Sequence, residues 1–114
     1  EHFPDIKIVA VEPEASHVLS GGAPGKHVIQ GIGAGFIPKI YDKDIIDEII
    51  QISNDQSFEF GNKMSKEEGL FLGISSGAAI AAAYEIAKRL GKGKNILVVS
   101  PDGGEKYLST DMFK

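Results

Sequence analysis

The residues of this chain best suited to chemistry are hydroxyls and one acid, each placed just after a short apolar run. Gly73-Ile-Ser75-Ser76-Gly77-Ala-Ala79 reads as a strand end that opens into a helix. In an open α/β sheet that junction lies at the carboxyl edge of the strands, where ligands gather. A helix start adds free N–H groups and the positive end of the helix dipole. Serine is also the ordinary N-cap residue, so Ser76 reads as the cap. Ser75, one residue nearer the strand, suits packing and ligand contact equally. Pro101-Asp-Gly-Gly-Glu-Lys-Tyr107 follows the next apolar run and belongs at the same edge, so both segments could line one pocket. Taken alone, it reads as a glycine-rich turn with an exposed Asp102.

Other candidate constellations fail on their own spacing. Gly31-Ile-Gly-Ala-Gly35-Phe36 has Phe36 where a dinucleotide fingerprint needs its third glycine, and Pro38 follows in place of a helix. Ser20-Gly-Gly-Ala-Pro-Gly-Lys26-His27 lacks both the leading glycine and the magnesium-binding hydroxyl of a P-loop. His2, His17 and His27 share no metal-type spacing, and His27 reads as a polar group bonded inside a long loop. The acids from Asp42 to Glu48 read as a solvated edge.

The elements that must position these residues alternate in type. Lys7–Val11 is expected to be a buried strand, stopped by Glu12-Pro13. Residues 15–38 are rich in glycine and proline but carry Val18, Leu19, Val28, Ile29, Ile32, Phe36 and Ile37, too many large apolar groups for a linker. This long loop is expected to pack onto the domain. A helical turn around residues 40–47 and a strand over 48–53 come next. Ser53-Asn-Asp-Gln56 has the form of a capping box for a helix over 55–68, with Gly69 as its stop. Gly61 within that helix costs about 1 kcal/mol relative to alanine. Leu70–Ile74 predicts a short strand, residues 78–90 an alanine-rich helix able to approach a sheet closely, and Asn95–Val99 a last strand. The alternation points to an α/β domain with a mainly parallel sheet flanked by helices.

Composition narrows the class. The chain has 114 residues, enough for one core, and folding is expected to bury about two-thirds of its unfolded surface. Its 12 Lys and Arg against 16 Asp and Glu leave a net charge of −4, the reverse of a nucleic-acid binder. With no cysteine there is no disulfide, thiolate metal site or thiol nucleophile. No apolar run approaches the ~18 residues of a membrane helix, and the start has no secretory pattern. A soluble, cytoplasmic domain is the expectation.

Four motifs together resemble the cysteine synthase (O-acetylserine sulfhydrylase) family. They are Val18-Leu-Ser-Gly-Gly22, His27 through Pro38 with its Gln30-Gly-Ile-Gly-Ala-Gly-Phe36 core, Gly73-Ile-Ser-Ser-Gly-Ala-Ala79, and Gly104-Glu-Lys-Tyr-Leu-Ser-Thr110. Their order and spacing match over about Pro4–Phe113. The resemblance implies a pyridoxal-phosphate enzyme of fold type II, with residues 1–114 as a single partial domain, the C-terminal third of the catalytic chain within its larger domain. It further implies that O-acetyl-L-serine loses acetate by β-elimination and that sulfide adds to give L-cysteine. Ser75 matches the serine that bonds the cofactor's pyridine nitrogen, and Asp102, after Pro101, the cofactor-binding segment beside the pyridine edge. Gln30, Gly31, Gly33, Ala34 and Phe36 match the loop over the substrate pocket. The resemblance places the Schiff-base lysine in a Ser-x-Lys-Asp-Arg segment that this chain lacks, so the chain alone is expected to be inactive. A parent homodimer and a docking site for the C-terminus of serine acetyltransferase are implied as well. His17 and Lys106 depart harmlessly from the family pattern. Gly61 with Phe58 and Phe60 puts helix stability in question, and Gly103 is expected to loosen the last turn. A cystathionine β-synthase-like fragment and a non-catalytic partner-binding module are the alternatives.

Overall fold

The computed structural model describes residues 2–113. Two parallel strands, β1 (Val9–Pro13) and β2 (Glu48–Ile52), pair in register from Val9 opposite Glu48 to Pro13 opposite Ile52. β1 starts two residues later than the sequence suggests and runs through Glu12 to Pro13. Proline is tolerated there because it stands last in the strand. Glu12 is buried at 2 % exposure, and its carboxylate accepts hydrogen bonds from the Leu19 N–H (2.9 Å) and the Ser20 hydroxyl. That acid anchors the start of the long crossover, residues 14–47, which contains only short 3-10 turns. The crossover packs inward as expected: Ile29 is fully buried, and Ile32 is packed against the core. The turn expected around residues 40–47 is the 3-10 turn Lys43–Ile45. The acidic edge there is partly tied down. Asp47 accepts from the Ile8 N–H at 2.7 Å, and Glu48 pairs with both terminal nitrogens of Arg89.

Helix α1 (Asn54–Glu68) opens with the predicted capping box. The Ser53 hydroxyl accepts from the Gln56 N–H at 3.1 Å, while the Ser53 N–H donates to Gln56 Oε1 at 3.0 Å. Gly69, at φ +70°, ends the helix in the left-handed conformation. Helix α2 (Ile74–Leu90) crosses α1 on glycines. A β-carbon on Gly77 would stand 2.2 Å from the Ser57 carbonyl oxygen and 2.9 Å from the Gly61 nitrogen. One on Gly61 would meet Met112 Cε at 1.9 Å. The glycine that weakens α1 locally is what lets the helices touch backbone to backbone, so the small residues of α2 serve a helix contact as well as the sheet. Ile50, Ile52, Ile74, Ala78, Ala81, Ala82, Tyr107 and Met112 complete the core around Ile29.

Two expected strands do not form. Residues 70–74 make only an isolated antiparallel bridge, Leu72 opposite Gly103, because Ile74 is already the first residue of α2. Asn95–Val99 joins no ladder among the described residues, and Leu97 and Val99 stand 91 % and 73 % exposed. A strand needs a neighbour to hydrogen-bond, and this apolar segment has none here. The chain exposes 7874 Å², against about 6,100 Å² expected of a complete monomer of this mass. Burial therefore falls short of the expected two-thirds.

Candidate functional site at the start of helix α2

The first turn of α2 begins at Gly73, which has no side chain to cap it. The cap comes from Asp102 instead. Its Oδ1 accepts from the Ser76 N–H at 2.9 Å and its Oδ2 from the Ser75 N–H at 3.3 Å. Ser76, read from the sequence as the N-cap, sits inside the helix. Its hydroxyl lies 2.6 Å from Asp102 Oδ1 and receives hydrogen bonds from the Ser100 hydroxyl (2.9 Å) and the Asp102 N–H (3.2 Å). The Tyr107 hydroxyl donates to Asp102 Oδ2 at 2.8 Å. Asp102 is thus partly buried and fully engaged, not the exposed turn residue the sequence suggests.

Backbone bonds hold this knot in place. The Gly73 N–H donates to the Asp102 carbonyl and the Gly104 N–H to the Phe71 carbonyl, both at 3.1 Å, on either side of the Leu72–Gly103 bridge. Gly103 lies between these two bonds, opposite Leu72. Gly73 is required by space: a β-carbon there would lie 2.3 Å from the Asp102 carboxyl and 2.5 Å from the Tyr107 ring. Beneath the turn, the buried Ser57 hydroxyl donates to the Ile74 carbonyl at 2.5 Å. A serine inside a helix gave no sign of this role. Only its pairing with a residue seventeen positions along reveals it.

The electrostatics follow from these contacts. Burial works against the charge on Asp102, but the hydrogen bonds from Ser76, Tyr107 and Ser75 outweigh it and hold the carboxyl below its usual pKa. Burial first, then the neighbouring Asp102 carboxylate, pushes the Tyr107 phenol up to about 12.

The glycine loop faces this turn from the other side. A β-carbon on Gly31 would stand 3.7 Å from the Ser75 hydroxyl oxygen, so the loop and Ser75 are brought together as expected. Gly31, Gly33 and Gly35 have φ of +97°, +62° and +83°, which side-chain-bearing residues rarely adopt. His27 braces the loop. Nδ1 accepts from the Ile29 N–H at 3.1 Å, so Nε2 carries the proton it donates to the Gly33 carbonyl at 2.8 Å. His27 is bonded inside the long loop, as expected. Gly33 packs on Pro13 and His27 rather than into the site. Gln30, Ala34 and Phe36 lie on the exposed side of the loop. Among the described residues no acid–histidine cluster suited to a metal ion is present. A groove of about 570 Å³ between α1, α2, Ile96 and Val98 lies apart from Ser75 and Asp102.

The donor set at α2 selects what can bind. Asp102 occupies two N–H groups of the helix start and adds a negative charge, so this end of α2 rejects a phosphate. A ring nitrogen beside the Ser75 hydroxyl is compatible with both. The residues present therefore fit the pyridine end of pyridoxal phosphate better than its phosphate.

Comparison with known proteins identifies the family. The pattern of the pyridoxal-phosphate dependent enzyme family matches residues 1–102, and the chain belongs to that family. A cysteine synthase of Staphylococcus aureus is 55% identical over 113 residues, covering 99% of this chain and 36% of its own. The crystal structure of a cysteine synthase from Entamoeba histolytica superposes with a TM-score of 0.93 at 50% identity, over 96% of this chain and 33% of its own. An O-acetylserine dependent cystathionine beta-synthase from Helicobacter pylori gives 0.90 at 42% identity, over 97% of this chain and 36% of its own. The fold is that of part of a fold type II pyridoxal-phosphate enzyme. The chain spans about a third of the length of these relatives. No helix among the described residues is long and apolar enough to cross a membrane.

Proposed function

We propose that this chain is the C-terminal third of a cysteine synthase, which converts O-acetyl-L-serine and sulfide to L-cysteine and acetate. The observation that carries this reading is the placement of Ser75 on the first turn of α2, opposite Gly31, at a helix start already neutralised by Asp102. Bound pyridoxal phosphate supplies the electron sink for loss of acetate. The Ser75 hydroxyl would hold its pyridine nitrogen. A hydroxyl partner leaves that nitrogen less fully protonated than a carboxylate partner would, which suits elimination. Gln30, Gly31, Ala34 and Phe36 form the wall on the substrate side, where the absence of a side chain at Gly31 admits close backbone approach, and Gly33 shapes the loop behind them. The lysine that holds the cofactor belongs to the rest of the parent chain. So does the neighbour for residues 95–99, in keeping with the surplus exposed surface. We place the parent in the cytoplasm as a homodimer, with the C-terminus of serine acetyltransferase as a partner.

The test is an assay of the full-length parent, loaded with pyridoxal phosphate, for sulfide-dependent release of cysteine from O-acetyl-L-serine. Cystathionine as the preferred product would favour the second reading, which the similarity to the Helicobacter pylori enzyme keeps in view. The isolated 114-residue chain is expected neither to form a Schiff base with the cofactor nor to turn over. A visible Schiff-base band abolished by replacing one of its own lysines would refute that expectation.

A further inference from the structure

The cluster around Asp102 has a consequence for how Ser75 works. A carboxylate offers about four acceptor sites. In this structure Oδ1 takes the Ser76 N–H and lies within reach of the Ser76 hydroxyl, while Oδ2 takes the Ser75 N–H and the Tyr107 hydroxyl. Each carboxylate oxygen thus already takes one backbone N–H and lies against one hydroxyl, which leaves little acceptor capacity for a bound ligand. It reaches the helix from twenty-seven residues away, at a helix start with no side-chain cap of its own. It can approach because Gly73 leaves the space open. Ser75, at 4 % exposure, is the residue of that turn whose hydroxyl faces Gly31.

We propose that Asp102 is a positioning residue: it contacts no cofactor atom, and by fixing the first turn of α2 it sets the direction of the Ser75 hydroxyl. The proposal rests on the placement of Ser75 at the ring nitrogen. It replaces the direct cofactor contact that the family resemblance implies for Asp102. Tyr107 belongs to the same device, since its hydroxyl holds the second carboxylate oxygen.

The experiment uses the full-length parent loaded with pyridoxal phosphate and compares Ser75→Ala, Asp102→Ala and the double variant. Cofactor absorbance and emission, kcat and KM are read separately, alongside the melting temperature. Ser75→Ala and Asp102→Ala should each shift the emission of the bound cofactor and lower kcat about tenfold, with KM little changed. The double variant should be no worse than Ser75→Ala alone, as for two residues acting through one contact. Additive losses in the double variant would overturn the proposal. So would an Asp102→Ala protein that melts earlier but keeps the wild-type emission and kcat, which is the signature of a helix cap and nothing more. If Asp102→Ala does not fold, Tyr107→Phe takes its place. It should give a smaller emission shift that disappears in the Ser75→Ala background, and persistence of the shift there overturns the proposal. Emission unmoved by Ser75→Ala but moved by Asp102→Ala removes the Ser75 assignment and the proposal with it, while cysteine formation by the wild type still stands or falls on its own.

Discussion

The two halves of the site are held by different forces. At the start of α2, position comes from charge and side-chain hydrogen bonds: one carboxylate, two serines and a tyrosine satisfy each other in a partly buried knot. Across from it, residues 27–37 are shaped by backbone conformation. Three glycines with positive φ set the path, and a single side chain, His27, bridges it. The first arrangement resists displacement because moving any member strands a buried polar group. The second resists substitution because its backbone adopts dihedrals that strain a β-carbon, yet few cross-bonds restrain it. The first half is therefore the more rigid of the two.

The largest effect should come from forcing the rigid half apart. Gly73→Ala puts a methyl group against the Asp102 carboxyl and the Tyr107 ring, and about 3 kcal/mol of overpacking is expected. Urea unfolding of the full-length protein measures it, and a loss below 1 kcal/mol would show that the knot yields more readily than its contacts imply. The glycine loop provides a matched pair of smaller effects. In Gly33→Ala a backbone at φ +62° meets Pro13 Cγ at 2.4 Å, and conformational strain with crowding should cost about 2 kcal/mol. Gly31→Ala has only Ser75 Oγ nearby, at 3.7 Å, so the cost should be about 1 kcal/mol from strain alone. Its methyl group would nonetheless stand over Ser75 and raise the KM for the amino-acid substrate. Equal thermal losses in the two variants would erase the distinction between packed and pocket-facing glycines.

An effect of similar size to that at Gly31 is expected at Tyr107. Replacing it with phenylalanine removes one hydrogen bond to a charged acceptor, about 1.5 kcal/mol. Its pH dependence has a defined sign. The phenol's folded pKa, about 12, lies above its ordinary value of 10.0, so its contribution is complete below pH 10 and is lost as pH rises through about 12. Asp102 behaves oppositely: its folded pKa is lowered, so its contribution is present above the ordinary carboxylate range and is lost as pH falls through the depressed value. Tyr107→Phe should flatten the alkaline limb of a stability–pH curve. An unchanged alkaline limb would remove Tyr107 from the knot.

What the sequence determined by itself is local. The Ser53–Gln56 capping box starts α1 and Gly69 stops it, because their hydrogen bonds and dihedral needs lie within one helical turn. The β-branched runs mark β1 and β2 to within two residues. The Gly31, Ser75 and Asp102 motifs stand out in the sequence, and the structure brings Ser75 against both Gly31 and Asp102. The tertiary structure alone decided who caps α2, since the cap lies twenty-seven residues downstream and the adjacent serines look equally able. It alone turned Gly61 and Gly77 from weak helix residues into a contact surface, and buried Glu12 on the strand end. Asn95–Val99 shows the same division from the other side. Its composition is that of a strand, but a strand is a property of two segments, and its partner is not among the described residues.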